Sequence, residues 1–249
     1  MHWLKKRWWV VVSGVVLLAV IGFIAWGMII PEPMPEAMAA MQSDSQVIVS
    51  TDPWITFQPA DQTATTGLII YPGGRVDPRA YAPLANAIAS QGYLVVIVPM
   101  PLNLAVFGSS RAASVIETYP DIQYWVIGGH SLGGSMAALY ADKHLDQIYG
   151  LSLWASYPAN SNDLSDSNLK VSSIYGTQDG LATKEKVDAS RGLLPPDTTW
   201  LPIVGGNHAQ FGWYGNQSGD NPATISRQDQ QDQILQAVLD LLQAVESNR

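Results

Sequence analysis

Residues 129–133 read Gly-His-Ser-Leu-Gly, a single G-x-S-x-G pattern with Ser131 at its centre. A β-branched and aromatic run, residues 124–127, precedes it, and apolar residues recur at helical spacing after it. A strand, a sharp turn and a helix in this order expose a serine hydroxyl, and the flanking glycines keep the turn free of steric overlap. The pattern predicts that Ser131 is a nucleophile. The alternative without chemistry is a glycine-rich turn with Ser131 as an ordinary helix cap.

A helix that begins after Ser131 directs unpaired N–H groups toward the point where negative charge develops during attack on a carbonyl. The N–H of Leu132 is therefore predicted to be one oxyanion donor. A second donor is expected from the glycine-containing loop after the apolar run 68–70, and the sequence leaves Gly73, Gly74 and Arg75 open. A plain Pro-Gly turn is the alternative for this loop.

A serine hydroxyl becomes a good nucleophile when an imidazole takes its proton and a carboxylate orients that imidazole. His208 is the predicted base, because it lies in a glycine-containing loop just after the last strand-like run. The other three histidines fit less well. His130 is the immediate neighbour of the serine, His144 ends a predicted helix, and His2 precedes the apolar N-terminal stretch.

Asp179 is the predicted acid, since it follows the strand-like run 171–175 and stands in the chain order Ser, Asp, His. Four other carboxylates compete, two in the polar loop 158–168 and two on or beyond a helix: Asp163, Asp166, Asp188 and Asp197. Six aromatic residues near strand ends are candidates for an acyl pocket or for the core: Phe107, Trp154, Tyr157, Phe211, Trp213 and Tyr214. For Arg75 the interpretations are a contact with a substrate carboxylate or a solvated surface position.

Residues 8–30 contain no charge and are long enough to cross a membrane. Lys5, Lys6 and Arg7 precede this stretch, which predicts a cytoplasmic tail over residues 1–7 and a catalytic domain outside the cytoplasm. A cleavable signal peptide is the alternative. Alternating prolines predict an extended linker over residues 31–44, followed by one domain over residues 45–249.

The composition excludes several classes of function. The net charge is −8, and the part after Ile30, with 21 acidic and 10 basic residues, carries −11, so nucleic acid is not an expected partner. Cysteine is absent, which removes disulfides and thiolate chemistry. The histidines show no metal-ligand spacing, so a metal site is not predicted.

The order of predicted elements indicates an α/β protein. Helical segments fall between mostly continuous apolar runs, as expected for a parallel sheet covered on both faces. The strand-like runs are residues 46–50, 54–58, 68–71, 93–98, 124–127, 149–154, 171–175 and 199–204. A final amphipathic helix begins with a Ser226/Asp229 capping box.

Four segments together carry a resemblance to a known family: Tyr-Pro-Gly-Gly at residues 71–74, the serine turn at 128–134, Tyr-Gly-Thr-Gln-Asp-Gly at 175–180 and Gly-Gly-Asn-His at 205–208. Over residues 47–245 the chain resembles the α/β-hydrolases, in particular small bacterial members of the fold-5 or dienelactone-hydrolase-like type. The resemblance implies an eight-stranded, mostly parallel sheet, a Ser131/Asp179/His208 triad and cofactor-free hydrolysis of a small-molecule ester through an acyl-serine. Acyl transfer, amide or thioester cleavage, and a membrane-tethered binding module without activity are the alternatives.

Overall fold

A mixed sheet of eight strands forms the centre of the protein, which a computed structural model describes over residues 8–247. The strands are β1 (Val47–Ser50), β2 (Ile55–Pro59), β3 (Thr66–Tyr71), β4 (Leu94–Ile97), β5 (Tyr124–His130), β6 (Ile148–Trp154), β7 (Lys170–Gly176) and β8 (Thr199–Ile203). Their order is β1-β2-β4-β3-β5-β6-β7-β8. β2 runs antiparallel to both of its neighbours, β1 and β4. The six strands β3 to β8 pair in parallel with one another. The predicted mostly parallel, eight-stranded sheet is confirmed.

Helices cover both faces of this sheet. The helices of the described residues are α1 (Trp8–Met28), which projects away from the sheet, α2 (Pro35–Ala39), α3 (Ala82–Ala89), α4 (Arg111–Thr118), α5 (Leu132–Lys143), α6 (Lys184–Ala189) and α7 (Arg227–Ser247). Apolar residues of α3 and α7 form a core on one face, and those of α4 and α5 form a second core on the other. The continuous apolar strands arise because each of β3 to β7 contributes side chains to both cores, whereas β1 and β2 contribute to the first core only. At the start of α7 the Asp229 N–H donates to the Ser226 hydroxyl at 3.0 Å, the N-cap hydrogen bond of the predicted capping box, and the hydroxyl donates to the Asp229 carboxylate at 2.7 Å.

The parallel pairing brings four loops to one edge of the sheet. Tyr71 at the end of β3 is in register with Gly129 of β5, and His130 of β5 is in register with Trp154 of β6. The loops after β3, β5, β7 and β8 therefore leave the sheet at the same carboxyl edge, where α/β sheets bind ligands. These loops carry all the residues predicted to act in chemistry.

Residues 31–44 differ from the predicted linker. The helix α2 lies within this segment, Ala37 is fully buried, and the Met34 N–H donates to the Trp213 carbonyl at 2.8 Å. The prediction of an extended spacer is wrong for this part. A proline is compatible with the first turn of a helix, and contacts with the domain supply the stability that so short a helix lacks alone. Residues 158–168, by contrast, contain neither helix nor strand, as predicted.

The helix α1 is apolar along its whole length and almost entirely exposed. Its 21 residues extend about 31 Å at 1.5 Å per residue, enough to cross the hydrocarbon layer of a bilayer. Gly27, near its carboxyl end, is its one buried residue within the described range. The predicted cytoplasmic tail, residues 1–7, lies outside the described residues.

Candidate active site

Ser131 occupies a strained turn between β5 and α5. Its backbone has φ 52° and ψ −123°, a conformation that costs a residue with a side chain about 1–3 kcal/mol. The turn is held by the Ser131 N–H, which donates to the Trp154 carbonyl at 2.9 Å, and by the Ser156 hydroxyl, which donates to the Ser131 carbonyl at 2.7 Å. A Cβ at Gly133 would overlap the carbonyl oxygen of Tyr71, so the neighbouring strand allows only glycine there. The surroundings thus impose the strained backbone at the serine.

His208 and Asp179 form a buried pair beside this turn. The His208 Nδ1 lies 2.8 Å from the Asp179 Oδ2, and both side chains are almost completely shielded from solvent. The Asp179 Oδ1 accepts the N–H groups of Leu181 and Ala182, each at 2.7 Å. A carboxylate can only accept, so the proton of a neutral His208 ring lies on Nδ1 and Nε2 is left as an acceptor. His208 Nε2 has no hydrogen-bond partner among the described residues.

One cavity joins the serine and the imidazole. Its volume is about 270 Å³, and its lining contains no aspartate, glutamate, lysine or arginine. The lining residues are Ser131, Leu132, Ser135, Ala155, Ser156, Tyr157, Leu181, Ala182 and His208. Within the described residues, Ser131 Oγ makes no hydrogen bond to His208, a contact that often tightens only when substrate binds. The cavity therefore has room for the uncharged carbonyl end of an acyl group next to both Ser131 and His208.

A larger cavity, of about 320 Å³, lies elsewhere. It is bounded by β7, β8 and α7, and its polar residues include Lys170 and Asp197, which form an ion pair at 3.0 Å. Lys170 begins β7 and Thr199 begins β8, so this cavity is at the amino edge of the sheet. Because ligands of parallel sheets bind at the carboxyl edge, the smaller cavity with Ser131 is the candidate active site.

The loop after β3 has one free N–H among the three candidates for the second oxyanion donor. The Gly73 N–H donates to the Tyr81 hydroxyl at 2.9 Å, and the Arg75 N–H donates to the Asn103 carbonyl at 2.7 Å. The N–H groups of Gly74 and Leu132 have no partner within residues 8–247. A Cβ built on Gly74 would lie 3.6 Å from the Leu132 Cβ, so these two residues are direct neighbours.

Two further residues of the site were not predicted from the sequence as a pair. The Tyr81 hydroxyl lies 2.9 Å from His130 Nδ1, and the His130 ring packs on the His208 ring with 4.5 Å between centroids. Burial lowers the pKa of His130 well below its ordinary value of 6.5, with a further decrease from the nearby His208, so the ring is neutral. Burial also raises the pKa of Tyr81, so its hydroxyl stays protonated and donates a hydrogen bond to His130 Nδ1.

A second carboxylate, which the sequence did not identify, connects the loops that carry Asp179 and His208. Asp220 accepts the Gly180 N–H at 3.0 Å and the Ala209 N–H at 2.8 Å, which ties the loop of Asp179 to the loop of His208. Arg227 then donates to the Ala209 carbonyl at 2.6 Å and to the Gly212 carbonyl. No local pattern marks either residue, because their partners come from distant loops.

Three of the four competing carboxylates, Asp163, Asp188 and Asp197, bind other partners. Asp188 binds Lys184 and Arg191, and Asp163 accepts the N–H of Ser165 at 3.0 Å. Of the six aromatic candidates Tyr157 alone lines the cavity, whereas the others are buried in the core or, for Phe107, half-exposed outside it. Within residues 8–247 no group of three or more histidine or carboxylate side chains could hold a metal ion.

Comparison with known proteins yields a family and a fold. A family model described as the alpha/beta hydrolase family matches residues 67–232. No curated protein sequence is similar enough to match this chain. Among solved structures, a CIB-like hydrolase from Thermoplasma acidophilum has a TM-score of 0.57 at 12% identity, covering 79% of this chain and 97% of its own. Est1E from Butyrivibrio proteoclasticus, with ferulic acid bound, has a TM-score of 0.58 at 12% identity, covering 78% of this chain and 98% of its own. The carboxylesterase CesB from Bacillus subtilis has a TM-score of 0.52 at 12% identity, covering 70% of this chain and 88% of its own.

Proposed function

The chain belongs to the alpha/beta hydrolase family, and from that premise we propose that it is a serine hydrolase that cleaves carboxylic esters through an acyl-serine intermediate. The observation that carries the proposal is the buried His208–Asp179 pair at 2.8 Å, whose imidazole lines the same cavity as Ser131. A neutral imidazole with a free Nε2 is the group that an uncharged serine hydroxyl requires as its base. The esterases among the structural neighbours are in keeping with this function but share only the fold with this chain.

In the acylation step, Ser131 Oγ bonds to the carbonyl carbon of the ester while its proton moves to His208 Nε2. Asp179 stabilises the imidazolium that forms and keeps its orientation, since two backbone N–H groups hold the carboxylate in place. The tetrahedral intermediate then loses its alcohol, which departs with the proton from Nε2. Water attacks the acyl-serine by the same proton route, and the acid product and free Ser131 result.

The negative oxygen of the tetrahedral intermediate needs fixed donors. We assign Leu132 N–H and Gly74 N–H to this role, because the N–H of Gly73 is occupied by Tyr81. Of the predicted donors, Gly73 then acts by holding the loop in position. Each donor of this kind is worth about 3–4 kcal/mol of transition-state stabilisation.

We further propose that α1 anchors the protein in a membrane, with residues 1–7 in the cytoplasm and the hydrolase domain outside. Its length, its uninterrupted apolar sequence and its exposure support this arrangement. If the segment were a cleaved signal sequence, the mature protein would lack it. Mass spectrometry of the mature protein distinguishes the two, because only an anchored protein retains residues 8–30. An anchored protein also stays in the membrane fraction after extraction with alkaline carbonate.

The test of the catalytic proposal uses the full chain in detergent micelles. We expect turnover of p-nitrophenyl acetate and covalent labelling of Ser131 by a fluorophosphonate, with both lost in Ser131→Ala. Ser165→Ala, in the loop 158–168, is the matched control and should keep both activities. A folded wild-type protein that shows neither turnover nor labelling would overturn the enzyme function and favour the binding-module alternative.

A further inference from the structure

The carboxyl end of α1 is fastened to the loops that border the candidate active site. Arg75 donates from Nε to the Trp26 carbonyl at 3.0 Å and from a terminal nitrogen to the Ile29 carbonyl at 2.9 Å. Asn103 donates from its side-chain amide to the Gly27 carbonyl at 3.0 Å. The last carbonyls of a helix have no partner within the helix, so these two side chains cap α1.

The joint is closely packed. The guanidinium of Arg75 stacks on the Trp26 ring at 4.3 Å from its centroid. A Cβ built on Gly27 would lie only 3.0 Å from the Leu102 carbonyl oxygen, so the helix backbone approaches this segment directly. The Arg75 N–H also donates to the Asn103 carbonyl, which joins the two capping residues to each other. Arg75 is thus committed to the helix end and not to a substrate carboxylate or to solvent.

From this joint to the nucleophile the distance is short. Gly74 precedes Arg75, and a Cβ built on it would lie 3.2 Å from Leu132 Cδ2 and 3.6 Å from Leu104 Cδ2. Leu132 follows Ser131 and lines the cavity. The end of the apolar helix and the mouth of the cavity therefore lie on the same side of the molecule.

Two exposed apolar side chains lie in the segment that follows Leu104, and one of them contacts α1. Val106 and Phe107 are 47% and 52% exposed, and the Phe107 ring packs edge-on against Phe23 of α1 with 6.2 Å between centroids. Phe23 lies five residues before the last residue of α1, which corresponds to a depth of about 8 Å along the helix axis. This depth is that of apolar side chains inserted at the boundary between lipid headgroups and acyl chains, about 5–10 Å. Residues 102–107 thus form a surface, here termed the membrane-facing loop, at the level of that boundary.

We propose that the substrate of this hydrolase is an ester lipid of the leaflet in which α1 ends, delivered to Ser131 across the membrane-facing loop. The inference rests on the proposed serine hydrolase function and on retention of α1, and it names the substrate class. With a net charge of −11 after Ile30, the domain repels anionic headgroups, so the lipid is zwitterionic or neutral. Ser131 Oγ bonds to the acyl carbonyl, the bond from that carbonyl to the lipid alcohol breaks, and the alcohol leaves with the serine proton through His208. Water then releases the fatty acid.

The experiment reconstitutes the full chain in phosphatidylcholine vesicles that contain a phosphatidylcholine with a fluorogenic acyl chain. The readout is the ratio of fluorogenic lipid cleavage to p-nitrophenyl acetate turnover in the same vesicles. Phe107→Gln is expected to lower this ratio about tenfold, because it removes the burial of one aromatic side chain at the interface. Leu145→Gln is the matched control, since Leu145 is 50% exposed in the loop between α5 and β6, at the opposite edge of the sheet.

The outcomes separate the inference from the function on which it rests. A ratio that falls with Phe107→Gln and stays constant with Leu145→Gln supports membrane delivery. Turnover of p-nitrophenyl acetate without cleavage of the vesicle lipid, or an unchanged ratio in Phe107→Gln, overturns the inference and leaves the hydrolase function intact. Loss of p-nitrophenyl acetate turnover and of fluorophosphonate labelling in the wild type overturns both.

Discussion

Replacement of Asp179 by asparagine tests the orientation of the base without a change in side-chain volume. In the structure, Asp179 Oδ1 accepts two backbone N–H groups at 2.7 Å and Oδ2 lies 2.8 Å from His208 Nδ1. The asparagine oxygen can take the place of Oδ1, and its NH₂ group then faces the imidazole. The reverse orientation points NH₂ at two N–H donors and loses two hydrogen bonds, at about 1 kcal/mol each.

The preferred orientation has a direct consequence for the histidine. An NH₂ group donates, so Nδ1 of His208 must accept and the ring proton moves to Nε2. A protonated Nε2 cannot take the proton of Ser131. We expect kcat to fall about 10⁴-fold, the loss associated with the wrong tautomer, which is about 5.5 kcal/mol of transition-state stabilisation. Stability should change little, because the asparagine can still make three hydrogen bonds.

The assay measures kcat and KM for p-nitrophenyl acetate, the rate of fluorophosphonate labelling and the urea midpoint of the same protein. Asp197→Asn is the control, since Asp197 forms an exposed ion pair with Lys170 and should leave all three unchanged. If Asp179→Asn keeps more than about a tenth of the wild-type kcat, Asp179 does not orient the base. Asp220, which accepts the N–H groups of Gly180 and Ala209 from the two loops, would then be the next carboxylate to test.

Two further predictions concern stability. In the folded protein His130 stays neutral, because burial lowers its pKa. In the unfolded chain the same histidine takes up a proton near pH 6.5. The unfolded state therefore binds more protons as the pH falls, and the free energy of unfolding should decrease by about 1.4 kcal/mol from pH 7.5 to 5.5. Urea unfolding at both pH values should show this decrease in wild type and in His144→Gln but not in His130→Gln. An equal decrease in all three proteins would contradict the neutral state of His130. Gly133→Ala should cost about 3 kcal/mol and abolish labelling of Ser131, because its Cβ would overlap backbone, whereas Gly192→Ala, with open space around it, should do neither.

The sheet was predictable because its signal is local. Each of β3 to β7 contributes to two cores and therefore appears as a continuous apolar run, and all eight predicted runs overlap an observed strand. The positions of Ser131, Asp179 and His208 followed from the rule that loops after parallel strands meet at one edge. The helix Pro35–Ala39 was missed because its stability comes from contacts with the domain, which alternating prolines do not encode.

The internal support of the site was not predictable, since it depends on which distant loops come into contact. Tyr81 binds Gly73 of the loop after β3 and His130 beside the nucleophile, and His130 in turn packs on His208. One buried phenol thus links the oxyanion loop to the base. This link occupies the N–H of Gly73, which is why we propose the next residue, Gly74, as the second oxyanion donor. Gly74 also precedes Arg75, which bonds to the end of α1. The helix α1, the loop after β3 and His208 are therefore connected through packed side chains, so under the proposed mechanism a displacement of α1 should change transition-state stabilisation before it changes substrate binding.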